Sequence, residues 1–234
     1  MRGAEKTLLV SAEIPYGIEE IFGFLGYGCV RLPEFDAIDA PVSSHPDMLF
    51  YKMRSGNILC DRRYYEKNSE QLLGIRERLV FSKKELGREY PSDVLFDTLR
   101  IGDTVYGRLD ATADEIISDA VRAVNVKQGY ARCSCLNIGN AVITADEGLS
   151  RRLAENGVDV CLIRHGGIAL PGYGEGFIGG ASFYDEQSST VVFFGDPHSL
   201  PDFLPVLDFL DKHGVSVRYP EGTVLTDHGS AVLI

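Results

Sequence analysis

The chain has no tryptophan, no run of 18 apolar residues and only five cysteines among its 234 residues. Without a long apolar run, no helix of this sequence is expected to span a membrane. The N-terminus also lacks the apolar stretch of a secretory signal, so the expected compartment is the cytoplasm. Cysteines 29, 60, 133, 135 and 161 are an odd, scattered set, which argues for reduced thiols rather than a disulfide framework. Positive charge is also scarce: 23 Lys and Arg face 34 Asp and Glu, for a formal net charge of -11. Such a chain repels polyanions at long range, so nucleic acid is not expected as a partner. No Pro/Ser-rich linker divides the sequence, and 44% hydrophobic residues provide for a substantial core. Residues 1–234 are therefore expected to form a single domain.

What the chain does have is repetition. Thr-Ala-Asp-Glu occurs at 112–115 and again at 144–147. Each copy follows a Gly-turn, Gly102-Asp103 or Gly139-Asn140, and a third such pair, Gly56-Asn57, lies upstream. Glycine takes positive φ at low cost, so these pairs predict two-residue hairpins between strands at 48–53 and 58–60, 94–101 and 104–106, and 133–138 and 141–143. Thr-x-x-Glu reads as a capping box at a helix start. Helix exits repeat as well: Leu153-x-x-x-Gly157-Val158 matches Leu210-x-x-x-Gly214-Val215, with a looser copy from Phe24 to Gly28. The repeating unit is strand, turn, strand, helix, strand. Units begin near 45, 90, 132 and 175, and a fifth is split between the tail, 222–234, and the head, 8–32. Pairing the chain ends would remove two exposed sheet edges, which favours a closed ring. An open α/β sandwich of the same units is the alternative.

A fivefold α/β propeller of ββαβ units resembles the pentein fold of guanidino-group-modifying enzymes. Lys-Gln-Gly-Tyr-Ala-Arg-Cys-Ser at 127–134, Gly-Phe-Ile-Gly-Gly-Ala-Ser at 176–182 and Asp-His-Gly-Ser at 227–230 are similar to an uncharacterised bacterial family of that fold. The resemblance implies a central channel lined by the first strand of each unit. There, enzymes of the fold use a cysteine thiolate, a histidine acid/base and carboxylates that grip a planar cation.

Tested unit by unit, the chain departs from that pattern. His45 and Asp47 are two apart on an expected strand and share a face; Asp47 matches the guanidinium-binding aspartate, or else caps a turn after Pro46. Asp93 matches a second substrate carboxylate, or is a solvated turn residue after Pro91. The third unit has Arg132-Cys133-Ser134-Cys135 where the enzymes carry His-x-Asp. Cys133 and Cys135 share a strand face there, as buried structural thiols or with Cys133 activated by Arg132 or Lys127. Glu175 is a possible channel carboxylate in a glycine-rich stretch. Asp227 and His228 stand in the last unit, where the enzymes place their nucleophile, yet no cysteine follows Cys161. The implied function is binding of a small cationic or guanidino-like ligand through Asp47, Asp93, Arg132, Glu175 and Asp227. The competing readings are an enzyme acting on guanidino C–N bonds with Cys133 as relocated nucleophile and His45 or His228 as acid/base, and a protein-docking module. No metal and no cofactor are expected.

Overall fold

Glycine turns set the pattern of strands. In the computed structural model, which describes residues 6–234, Gly56, Gly102 and Gly139 all have positive φ, at 85°, 55° and 96°. Each turns an antiparallel hairpin as the sequence predicts. The stretch 1–5, on which the absence of a secretory leader was read, lies outside the described residues. Among those described, no helix is long and apolar enough to cross a membrane.

In chain order the elements are β1 (Lys6–Ser11), α1 (Tyr16–Phe24), β2 (Tyr27–Leu32), the four-residue α2 (Pro46–Leu49), β3 (Phe50–Lys52), β4 (Ile58–Cys60), α3 (Arg62–Lys67) and β5 (Leu79–Phe81). They continue with β6 (Leu99–Ile101), β7 (Thr104–Gly107), α4 (Asp114–Asp119), β8 (Arg122–Asn125), β9 (Cys135–Asn137), β10 (Ala141–Thr144), α5 (Glu147–Glu155) and β11 (Asp159–Leu162). The last are β12 (Ser182–Asp185), β13 (Thr190–Phe193), α6 (Phe203–Lys212), β14 (Ser216–Arg218) and β15 (Ala231–Leu233). These strands form five three-stranded sheets, β3-β4-β5, β6-β7-β8, β9-β10-β11, β12-β13-β14 and β15-β1-β2. In every sheet the first strand is antiparallel to the second and the second is parallel to the third. The chain ends meet in one sheet: β15 pairs with β1, with Leu8 opposite Leu233 and Val10 opposite Ala231.

The middle strands are buried on both faces, β10 and β13 along their whole length, because each is covered by its own crossover helix. Phe22 of α1, Leu153 of α5 and Leu210 of α6 are wholly buried against those strands. The helix exits then follow one rule: Gly157 and Gly214 take φ of 81° and 67°, and Val158 and Val215 donate back to the carbonyls of Leu153 and Leu210. This is a Schellman-type stop. In the head unit the equivalent glycine is Gly26, with φ 87°, not Gly28, which lies within β2.

The repeated tetrapeptides do not form capping boxes. Neither threonine caps a helix: Asp146 accepts from Leu149 N at the start of α5, and α4 has no side-chain cap. Thr112 and Thr144 are instead buried and donate inward to the carbonyls of Arg108 and Ser134. Glu115 accepts from the amide of Lys83. Each hydroxyl faces inward, so it satisfies a carbonyl of the preceding chain rather than a helix end.

Candidate functional site

The segments just ahead of the first strands, the short helix α2 among them, interlock. Asp97, ahead of β6, accepts through Oδ1 from the backbone amides of Arg132 and Cys133 at 2.7 and 3.0 Å. Asp227, ahead of β15, accepts from Phe177 N and Gly229 N, both at 2.9 Å. Asp47 N donates to Gly229 O at 3.2 Å. The result is a cluster centred on Cys133, whose Sγ lies 2.6 Å from Asp97 Oδ2 and 2.9 Å from Asp47 Oδ2. Asp47, Asp97, Cys133 and Asp227 are 0%, 1%, 4% and 2% exposed. His45 sits beside them, with Nδ1 3.8 Å from Asp227 Oδ1.

Glycines make room for this packing. Gly229 has φ 71°, and a Cβ there would lie 2.7 Å from Asp47 Oδ1 and against the His45 ring. A Cβ on Gly180 would strike the Asp227 carboxylate, and one on Gly179 the carbonyls of Arg132, Cys133 and Cys135. Close approach of backbone and side chain therefore accounts for Gly176, Gly179 and Gly180, while Gly174 has open space around its Cβ position.

Burial dominates the electrostatics. It pushes the Asp97 carboxyl up to about 8, with the Asp47 charge adding to the shift and the Cys133 contacts opposing it. Burial also raises Asp227 to about 6, against the pull of its two amide donors. Asp47 is raised as well, by burial first, although His45 and Arg132 oppose the shift. The Cys133 thiol is pushed well above its ordinary value by burial and then by the charges of Asp47, Asp97 and Asp227. Burial pulls the His45 imidazole below its ordinary value, against the charges of Asp47 and Glu13. A thiol has one proton to donate, yet Sγ contacts two carboxylate oxygens. One of the two carboxyls must then carry a proton of its own, in keeping with the upward shifts. Asp47 Oδ1 has no hydrogen-bond partner although it is buried.

One ligand atom each from Asp47, Asp97 and Cys133 lies within 4.8 Å of the others, close enough for a cation to bridge them. Thiolate and carboxylate are zinc-type donors, and a metal would have to displace the protons held there. The sequence reading expected no metal ligands; these three come together from three different units.

Of the residues singled out from sequence, Asp47, Cys133, Asp227, His45 and Arg132 are brought together, and three are not. Asp93 accepts from Tyr130 Oη at 2.5 Å and joins a separate aromatic group, with Tyr130 stacked on Phe177. Glu175 accepts from Gly166 N and lies 3.8 Å from His165. His228 faces Phe194, and burial lowers its pKa to about 4. Neither His45 nor His228 is a hydrogen-bond partner of Cys133, whose Sγ is taken by the two carboxylates.

Two strand assignments are corrected. Asp47 lies in α2, with His45 at the N-cap and Pro46 at the first helical position, because proline is preset for a helix start. Cys133 precedes β9, which starts at Cys135, so the two thiols do not share a strand face. Asp97 holds the amides of residues 132 and 133 and removes them from the ladder. Asp97 itself was missed; its signal was a lone carboxylate inside the apolar run Val94-Leu95-Phe96-Asp97-Thr98-Leu99.

Residues 9–232 match a family described only as one of unknown function (DUF6873). The chain belongs to that family. No curated protein matches it significantly. Among solved structures, the chain is similar to dimethylarginine dimethylaminohydrolase in its adduct with S-methyl-L-thiocitrulline, at TM-score 0.59 and 10% identity over 93% of both chains. It is also similar to the same enzyme bound to 4-chloro-2-hydroxymethylpyridine, at TM-score 0.56, 11% identity and 93% of both chains. A third likeness is to SxtG, an amidinotransferase of the saxitoxin pathway from Microseira wollei, at TM-score 0.52 and 10% identity, covering 93% of this chain and 89% of that one. At such identities the likeness gives this family member the pentein fold and nothing of its chemistry.

Proposed function

We propose that this protein binds a small cation of guanidinium or amidinium type in the cluster of Asp47, Asp97 and Asp227 around Cys133. The same reading takes residues 1–234 as one domain whose five sheets close into a ring about the cluster. The observation that carries it is Asp47 Oδ1, buried with no partner beside two further buried carboxylates. A planar cation offers paired N–H donors to such oxygens and neutralises charge that otherwise has only His45 and Arg132 nearby. Because the cluster is almost inaccessible, binding requires local opening of the covering segments. Calorimetric titration with guanidinium, methylguanidinium and agmatine against sodium controls tests the reading. Saturable binding that D47N weakens at least tenfold is expected; binding no stronger than sodium, or indifferent to D47N, overturns it.

A second reading makes the protein a hydrolase or transferase acting on guanidino C–N bonds. It is favoured by the sulfur's contacts with two of the carboxylates that would grip the cation, which would bring Sγ beside the amidine carbon. Cys133 would pass its proton to Asp97 as the C–S bond forms. That proton would leave with the departing amine as the C–N bond breaks, and water would then cleave the C–S bond. Bound cation must first lower the thiol pKa. Amine release from methylguanidine or agmatine by the wild type and not by C133S would support this reading; none from either protein would dispose of it.

A further inference from the structure

Beyond the cluster, the same strands lead into a second cavity of opposite charge. Asp47, Asp97, Cys133 and Asp227 precede the first strands, whereas Tyr51, Lys52, Arg100, Asn137 and Ser230 come three to five residues later and line a cavity of about 220 Å³. Arg132 joins them there: its guanidinium donates to Phe50 O at 3.1 Å and to Ala231 O at 3.4 Å. No acidic side chain among the described residues lines this cavity. Among the described residues, Lys52, Arg100 and Arg132 form no ion pair. In a chain with eleven excess negative charges, three unpaired cations in one recess are against the odds of the composition.

A second observation points to a missing acceptor. Tyr51 is 3% exposed and lines the cavity, and its hydroxyl is buried without a hydrogen-bond partner. Arg100, Asp119 and Arg132 are near enough for their charges to act on that phenol, with the two arginines opposing Asp119, as Arg78 and Arg100 act on Lys52. A buried hydroxyl left unpaired is costly, and cations of one sign crowd together unfavourably unless an anion comes between them. Asn137 donates its amide to Arg100 O, which fixes the strand that carries Arg100.

We propose that this cavity binds the oxyanion group, phosphate or carboxylate, of a small metabolite, held by Arg100, Lys52 and Arg132 with Tyr51 Oη donating to it. The long-range repulsion expected from the net charge does not oppose this, since it is screened over about 8–10 Å at physiological ionic strength and the local field inside the recess is positive. The site is separate from the carboxylate cluster except for Arg132, whose charge also acts on Asp47 and Asp97, so Arg100, Lys52 and Tyr51 are the residues that test it independently of cation binding there.

Titration of the whole protein with inorganic phosphate and with succinate, at constant ionic strength in chloride, tests the proposal. Saturable binding of at least one anion is expected, weakened tenfold or more by Arg100→Met and several-fold by Tyr51→Phe. Lys52→Met supplies a second cation-deleting variant should Arg100→Met fail to fold. Binding of phosphate alone assigns a phosphoryl ligand, and of succinate alone a carboxylate. Absence of saturable binding of both anions, or binding indifferent to the loss of Arg100 and of Lys52, overturns the proposal.

Discussion

Replacing Asp97 by asparagine should stabilise the protein at alkaline pH, although it removes a residue at the centre of the cluster. Asparagine keeps an Oδ1 to accept from the amides of Arg132 and Cys133, while its Nδ2 can donate toward Sγ. It also removes a charge that burial and Asp47 resist. In the unfolded chain an aspartate titrates near 3.9, and in the folded protein Asp97 titrates near 8. Between these values the folded state holds the proton and the unfolded state does not, so stability falls as pH rises. At about 1.4 kcal/mol per pH unit, the window from pH 6 to pH 8 removes about 2–3 kcal/mol through this one group. His45 and His228 act with the opposite sign. Their lowered values contribute stability that is complete above their unfolded pKa of about 6.5 and lost as pH falls below it. Asp47 and Asp227, also raised by burial, act with the same sign as Asp97, so D97N removes Asp97's share of the fall and leaves theirs. Urea unfolding of wild type and D97N at pH 6 and 8 reads the difference. The wild type should lose about 1 M or more of midpoint on going to pH 8, and D97N should lose much less. Equal slopes in the two proteins, or a D97N destabilised at both pH values, would refute the electrostatic account of the cluster.

Gly229→Ala should cost about 2 kcal/mol or more, because it meets both a positive φ of 71° and the Asp47 oxygen, while Gly28→Ala, with open space around its Cβ position, should change stability by less than about 0.5 kcal/mol; thermal melts compare them. Leu210→Ala, at a wholly buried helix position, should cost about 2–5 kcal/mol in urea unfolding. Iodoacetamide should label half-buried Cys29 and Cys161 before Cys133 in the native protein. Mass-spectrometric mapping that finds Cys133 labelled first, with an apparent pKa near the free value of about 8.5, would contradict its pinning between two carboxylates.

Much of the architecture could be read from short local signals. Gly56, Gly102 and Gly139 marked hairpins because positive φ is a property of the residue itself, and Gly157 and Gly214 marked helix stops for the same reason. The head-and-tail unit was legible because the missing strand of one end was present at the other. The threonines of the repeated tetrapeptide misled: a hydroxyl ahead of a helix can serve a helix amide or a carbonyl of the preceding chain, and only packing decides. The site was half legible. Asp47, Cys133 and Asp227 stood out by motif, but their convergence depends on Asp97, which holds the neighbouring segment by its backbone amides, an interaction with no sequence period. Asp93, four residues earlier and just ahead of the apolar run that holds Asp97, is turned instead to Tyr130.

The central claim is that a cation takes the place of a proton in the cluster. Calorimetry of guanidinium binding at pH 7 in two buffers of different ionisation enthalpy counts the protons released. The account predicts release approaching one proton per cation bound, with affinity rising with pH up to about 8 as Asp97 ionises. Binding without proton release, at an affinity flat between pH 6 and 8, would contradict it.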